Sequence, residues 1–234
     1  MKIFTTKENI KTEEAFITGD DVRHVKDVMR LKVGYRLEIC DGEENDYLCE
    51  IEKITKNEVR LKILNSSRNV SETPFNITLY QALPKSSKLE EIIMKSTELG
   101  IKKIVPMETD FSVVKAKDIT EKKYERYQKI AKAAAQQCKR GIIPIIGNVV
   151  HFKNVNPEGE VFLAYEKEKA KLKGDIIGND ISIIVGAEGG FSENEIKVAR
   201  EKEFNIVSLG SRILRLETAS IVLATLILNL KGDL

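Results

Sequence analysis

The chain has 234 residues, 42% hydrophobic and 32% charged, so it can bury a core and does not have the composition of a disordered segment. Thirty-eight Lys and Arg against 36 Asp and Glu leave a net charge of +2, which excludes a histone-like polycation. The longest apolar run, near Ala219–Leu228, falls short of the ~20 residues of a membrane-spanning helix, and the opening MKIFTTKENIK has no signal-peptide core. Cys40, Cys49 and Cys138 are odd in number and form no C-x-x-C pair, which excludes a disulfide framework and a zinc ribbon; no metal site is expected. The expectation is a soluble protein of a reducing cytoplasm.

In the first part of the chain, period-two alternation over Tyr35–Cys40, Tyr47–Ile54 and Val59–Leu64 predicts strands, with turns at Asp41-Gly42 and Lys56-Asn57. A helix precedes them, with Asp20 and Asp21 available as caps and Val22, Val25, Val28 and Met29 at helical spacing. Short strands this close suggest a small barrel. The polar run 65–74 ends in Pro74 and reads as a linker. One domain is therefore placed at residues 1–70 and a second at 74–234.

The second part alternates strand and helix. Strands are expected at Ile77–Gln81, Ile101–Val105, Val161–Tyr165, Ile181–Val185 and Ile206–Leu209. Between them fall a helix capped by Ser87 and Glu90 and closed by Gly100, and a long helix over Asp118–Arg140. A third helix is capped by Ser192 and Glu195, and a final one, Glu217–Leu230, is apolar almost all round. Such alternation predicts an α/β fold, a parallel sheet with helices on both faces.

Two glycine-bearing loops carry the functional signal. Strand Ile181–Val185 runs into Gly186-Ala187-Glu188-Gly189-Gly190-Phe191, and strand Ile206–Leu209 into Gly210-Ser211-Arg212-Ile213-Leu214-Arg215-Leu216-Glu217. In an open α/β sheet, ligands bind at the carboxyl ends of strands. Phosphate chemistry is disfavoured: neither G-x-x-x-x-G-K-[ST] nor G-x-G-x-x-G is present, and Glu188 would repel a pyrophosphate. Ile213, Leu214 and Leu216 offer apolar walls with backbone amides between them, which suits adenosine carrying a sulfonium better than a nucleotide phosphate. The same glycines also serve as plain tight turns, and spacing alone slightly favours that reading.

Those two loops together resemble the paired signature of RsmE-type enzymes, ribosomal RNA uridine-N3 methyltransferases of the SPOUT superfamily. The likeness extends along the chain through His24…Val28-Met29-Arg30, Glu98-Leu99-Gly100-Ile101…Pro106 and Ala133-Ala134-Ala135-Gln136-Gln137-Cys138-Lys139-Arg140. Ala187 stands where the family usually has proline, and Leu216 where threonine is common. The resemblance implies a knotted, SPOUT-type trefoil parallel-sheet domain preceded by a small PUA-like β-barrel. It also implies a homodimer, bound S-adenosyl-L-methionine, and methylation of a uridine N3 in 16S ribosomal RNA of the small ribosomal subunit. On that reading the cofactor contacts are Leu163, Tyr165, Ile184, Val185, Gly186, Glu188, Gly189, Gly190, Leu209, Gly210, Ile213, Leu214 and Leu216.

Uracil N3 is protonated at neutral pH, so it must lose its proton and face the methyl carbon in line. Arg212, Arg215 and Arg140 are nominated to stabilise the developing uracil anion and bind flanking phosphates. Glu217 is the candidate carboxylate for proton removal or for orienting an arginine, although an acid in a helix's first turn is also ordinary. RNA contacts are expected at His24 and Arg30, and at Lys122, Arg126 and Lys129. The last three share one face within Lys115–Arg140, a stretch of nine basic and three acidic residues. A solvated helix face is the plainer meaning of such a run. Three other readings stay open: a non-catalytic RNA-binding assembly factor, a nucleotide-dependent enzyme such as a dehydrogenase, and a SPOUT methyltransferase acting on another RNA.

Overall fold

The computed structural model describes residues 2–234, and the chain divides into two compact units. One comprises the chain as far as Glu72 together with Ala135–Ile143; the other comprises Thr73–Ala134 and Pro144–Leu234. Sequence patterning left residues 135–143 in the second domain. The structure places them in the first unit, where the Glu72 carboxylate accepts hydrogen bonds from Arg140 Nε (3.0 Å) and Nη2 (2.8 Å). The same carboxylate also accepts from the backbone N–H groups of Gly141 (2.8 Å) and Ile142 (2.9 Å). Arg140 and Glu72 are 2% and 4% exposed, so this pair is a buried bolt rather than a surface contact.

Five strands build the first unit: β1 (Lys2–Phe4), β2 (Glu14–Thr18), β3 (Arg36–Cys40), β4 (Asn45–Ile54) and β5 (Glu58–Arg68). Their order is β1-β3-β4-β5-β2, antiparallel except for the parallel β1–β3 pair. The edges β1 and β2 are bridged where Thr5 Oγ1 donates to the Phe16 carbonyl at 2.8 Å, which curls the sheet into a partial barrel. Ile3, Ile17, Ile39, Ile51 and Leu61 fill its interior with Val22 and Val25. β1, of three residues, is too short to display alternation, whereas β2 does alternate over Glu14–Thr18 and was not among the expected strands. The expected linker is also corrected. Asn65–Arg68 continue β5, paired with β4 from Leu48 back to Asn45, and Asn69 and Thr73 are buried. Hydrogen-bond register held that polar stretch in the sheet, and composition could not reveal it.

α1 (Asp20–Arg23) begins after Gly19, which supplies no side-chain cap. Asp20 and Asp21 sit inside its first turn, where acids suit the helix dipole, and are not caps. The helix continues as a π-type turn over His24–Val28. Val22 and Val25 are buried, whereas Val28 is exposed.

The second unit is an α/β sheet. Its elements are β6 (Asn76–Ala82), α2 (Lys88–Glu98), β7 (Lys103–Glu108), α3 (Glu121–Gln137, of which the part from Ala135 on belongs to the first unit), β8 (Ile145–Ile146), β9 (Val150–His151), β10 (Glu160–Ala164), β11 (Asp180–Val185), α4 (Glu193–Glu201), β12 (Asn205–Val207) and α5 (Leu216–Leu230). The strand order is β12-β10-β11-β6-β7-β8, with β9 also on β7, and every pairing is parallel. Side chains alternate across a strand. Tyr80 and Ala82 share a core with Ile196 and Ala199 of α4, while Gln81 between them is hydrogen-bonded to Ser220 of α5 (2.5 Å). Helices therefore cover both faces, as the alternation predicted. Ser192 and Glu195 form their capping box. Ser87 and Glu90 do not: Ser87 makes no side-chain cap, and Glu90 turns instead to Arg126 at 2.7 Å. No helix among the described residues is long and apolar enough to cross a membrane.

Candidate active site

The register of three strands brings the glycine loops together. β10 lies between β11 and β12, with Leu163 opposite both Ile184 and Ile206. The loops leaving β11 and β12 therefore flank the end of β10, where Tyr165 and Glu166 emerge. They enclose a cavity of about 350 Å³ that Lys88 and Ala219 complete. That volume falls in the range of small-ligand pockets, ~300–1,000 Å³.

Each loop has a backbone reason for its glycines. Ala187 to Gly190 is a tight turn closed by the Gly190 N–H on the Ala187 carbonyl at 2.9 Å. A Cβ on Gly189 would stand 2.8 Å from Phe111 Cβ, closer than real side chains approach. Gly210 holds φ +118, a conformation that a Cβ makes costly. In the second loop, the N–H groups of Ile213 and Leu214 find no acceptor among the described residues and remain available to a ligand edge.

Charge is organised by a residue outside both loops. Lys88, the first residue of α2, donates to Glu188 Oε1 at 3.1 Å and lies 3.8 Å from Glu217 Oε2. Partial burial pushes the Glu188 carboxyl upward, but hydrogen bonds from its own backbone, Lys88 and the Lys85 N–H outweigh it. The group is held below the ordinary glutamate range. Arg212 and Arg215 line the cavity, are exposed, and have no acidic partner among the described residues.

Of the expected cofactor contacts, Tyr165, Val185, Gly186, Glu188, Gly190, Leu209, Gly210, Ile213, Leu214 and Leu216 line this cavity. Leu163 and Ile184 do not. Both are wholly buried one position behind it, because strand alternation turns them into the core. Gly189 faces Phe111 instead. Glu217 stands beside the wall and meets it through Lys88. Arg140 belongs to the other unit, tied to Glu72, and is not brought to the cavity. His24 is half-buried and Arg30 exposed in the first unit, while Lys122 and Lys129 are exposed on α3 beside the ion-paired Arg126. Lys88, Glu166, Ala187, Phe191 and Ala219 also line the cavity. Lys88 carried no local signal, since it lies about a hundred residues from the loop it serves.

Residues 17–64 match a family model described as an RNA methyltransferase PUA domain, and residues 71–228 one described as an RNA methyltransferase domain. The chain is 34% identical over 231 residues to ribosomal RNA small subunit methyltransferase E of Bacillus subtilis (strain 168), covering 92% of this chain and 90% of that protein. The chain belongs to that methyltransferase family. The Rickettsia conorii member is 33% identical over 222 residues, covering 92% of this chain and 88% of its own. Among solved structures, ribosomal RNA small subunit methyltransferase E from Neisseria gonorrhoeae bound to S-adenosyl methionine superposes with a TM-score of 0.88 at 26% identity, covering 98% of this chain and 97% of that one. A Legionella pneumophila putative methyltransferase, in complex with the same cofactor, gives 0.82 at 27%, covering 97% and 96%.

Proposed function

We propose that this chain transfers a methyl group from S-adenosylmethionine to N3 of a uridine in 16S ribosomal RNA of the small subunit. The carrying observation is the cavity at the ends of β10, β11 and β12 in a member of this methyltransferase family. The cavity fits the donor. Its backbone approach at Gly186 would be narrowed by a Cβ, which would lie 3.1 Å from Phe191 and 3.3 Å from Gly190. Ile213, Leu214 and Leu216 wall it, the Ile213 and Leu214 N–H groups are free to bond an adenine edge, and Glu166 and Glu188 among its lining residues suit a cationic ligand. When bound, the donor supplies an electrophilic methyl on a sulfonium.

The chain's own residues supply the rest. Arg212 and Arg215 stand unpaired at the cavity and are placed to neutralise the uracil as its N3 proton leaves. Glu217, held beside Lys88, is the carboxylate nominated to orient an arginine or take that proton. Uracil N3 is a pairing edge, so the base must leave its helix to react. Arg30, Lys122 and Lys129 supply exposed positive charge for RNA, with His24 as a further contact. We infer further that the chain pairs with a second copy through α5, where Leu226 and Leu230 are exposed. The knot of the SPOUT fold and a reducing cytoplasm, where three free cysteines persist, belong to the same reading.

The test is mass spectrometry of small-subunit ribosomal RNA after incubation with the protein and labelled donor. The expected product is one N3-methyluridine per RNA. Methylation at another atom, or none with donor bound, refutes the assignment. Sedimentation as a monomer at micromolar concentration removes the dimer.

A further inference from the structure

Beyond β10 the chain reads Glu166-Lys167-Glu168-Lys169-Ala170-Lys171-Leu172-Lys173, with a lysine at every second position. The segment is anchored. Tyr165 O accepts from the Glu168 N–H in a turn, and the Ser208 N–H donates to the Ala170 carbonyl at 2.7 Å. Lys171 is bridged in parallel to Ser208. Glu168 is drawn inward by Arg200 at 2.8 Å, its other oxygen accepting the Lys169 N–H at 2.8 Å. Glu168 and Leu172 are half-buried, while all four lysines are exposed and none is ion-paired among the described residues. Glu168 is thus turned toward the fold and the four lysines outward. Lys167 lies in that turn and Lys169, Lys171 and Lys173 follow it at every second position, so the exposed cations form a series along the chain rather than a point.

The row begins at the cavity. Tyr165 and Glu166 line it, and Ser208, to which the row is tied, leads directly into Leu209 and Gly210 of the second loop. We propose that Lys167, Lys169, Lys171 and Lys173 form a docking strip for the phosphodiester backbone of single-stranded RNA flanking the reacting uridine. The proposal rests on the RNA substrate proposed above. Ammonium groups serve phosphates as compact point charges and need no fixed fork geometry, which suits a strip that reads backbone and not sequence. The basic face of α3 is the weaker candidate, because Arg126 is already committed to Glu90.

The test uses the full chain with Lys167→Gln/Lys169→Gln, Lys171→Gln/Lys173→Gln, and all four together. Binding to a 16S ribosomal RNA fragment is measured across salt concentrations, and S-adenosylhomocysteine affinity serves as the control for fold and pocket. At ~0.7 per phosphate on a single strand, the slope of log K against log salt should flatten by about 1.4 in each pair and roughly 3 in the quadruple variant. Cofactor affinity should stay unchanged, and four arginines in place of the lysines should restore the slope. A wild-type slope in the quadruple variant, with RNA bound and methylated, overturns the strip alone. Failure of the wild type to bind or methylate RNA overturns the substrate reading and the strip with it. Binding of an acidic protein in place of RNA, lost with the lysines, likewise overturns it.

Discussion

Replacing Glu72 with alanine should destabilise the first unit without touching the donor site. The Glu72 carboxylate receives two hydrogen bonds from the Arg140 guanidinium and two from the N–H groups of Gly141 and Ile142, all between 2.8 and 3.0 Å. Both side chains are at least 96% buried, so no discount for solvent screening applies. Removing one partner strands an uncompensated buried cation, a loss of about 3–5 kcal/mol, and leaves two backbone donors without an acceptor. Glu72→Gln keeps one carbonyl acceptor and should lose less. Urea unfolding followed by circular dichroism measures the loss, and calorimetric titration with S-adenosylhomocysteine measures the pocket. A cost below about 1 kcal/mol, or weakened cofactor binding in the folded variant, would refute the assignment of Arg140 as a structural bolt.

Gly189→Ala should destabilise by ~1–3 kcal/mol, because its Cβ would stand 2.8 Å from Phe111 Cβ; a thermal melt unchanged from wild type would show that the two segments yield freely. Burial raises the Glu195 carboxyl, partly offset by hydrogen bonds from the Ser192 and Asp110 N–H groups. A carboxyl raised in the folded state favours the fold while protonated. Stability should therefore fall as pH rises from the ordinary glutamate value through the raised one, and Glu195→Gln should flatten that window in melts across pH. Burial pushes the Cys40 and Cys49 thiols up to about 12, so at pH 8 neither should react with a thiol reagent faster than the protein unfolds. Rapid labelling of either in the native protein would contradict their placement.

The two parts of the molecule were unequally legible, for a physical reason. Strands of the parallel sheet announce themselves as β-branched runs because both faces are buried, so β6, β10 and β11 were read within a residue or two. β5 beyond Leu64 was not, since Asn65–Arg68 are held by ladder bonds that any residue can make. In the site, the loops carried their own signal through glycine and charge. Leu163 and Ile184 are buried behind the cavity wall, because a strand residue's face depends on where the strand ends. Arg140 and Lys88 show the larger limit. Both are decided by a distant acid, Glu72 in one case and Glu188 in the other, and one sequence holds no record of such pairings.

Arg215 offers the sharpest separation of binding from chemistry. It precedes α5 and turns the chain into that helix, the Ala219 N–H taking its carbonyl at 2.8 Å, so its backbone role survives any side-chain change. The guanidinium is exposed at the cavity with no acid to hold it, and alanine there leaves no buried charge behind. If the arginine acts only as a phosphate contact, Arg215→Ala raises KM for RNA, reduces the salt slope by about one unit, and leaves kcat intact. If it stabilises the uracil anion, a charge present only as the proton leaves, kcat at saturating RNA should fall by about 10²–10³, the magnitude of losing one donor to a developing anion. The second outcome is expected, with S-adenosylhomocysteine affinity little changed, because Arg215 is one exposed side chain among the many residues that line the cavity. Single-turnover methylation at saturating RNA decides it. An unaltered rate there would remove Arg215 from the chemistry and leave it a docking residue.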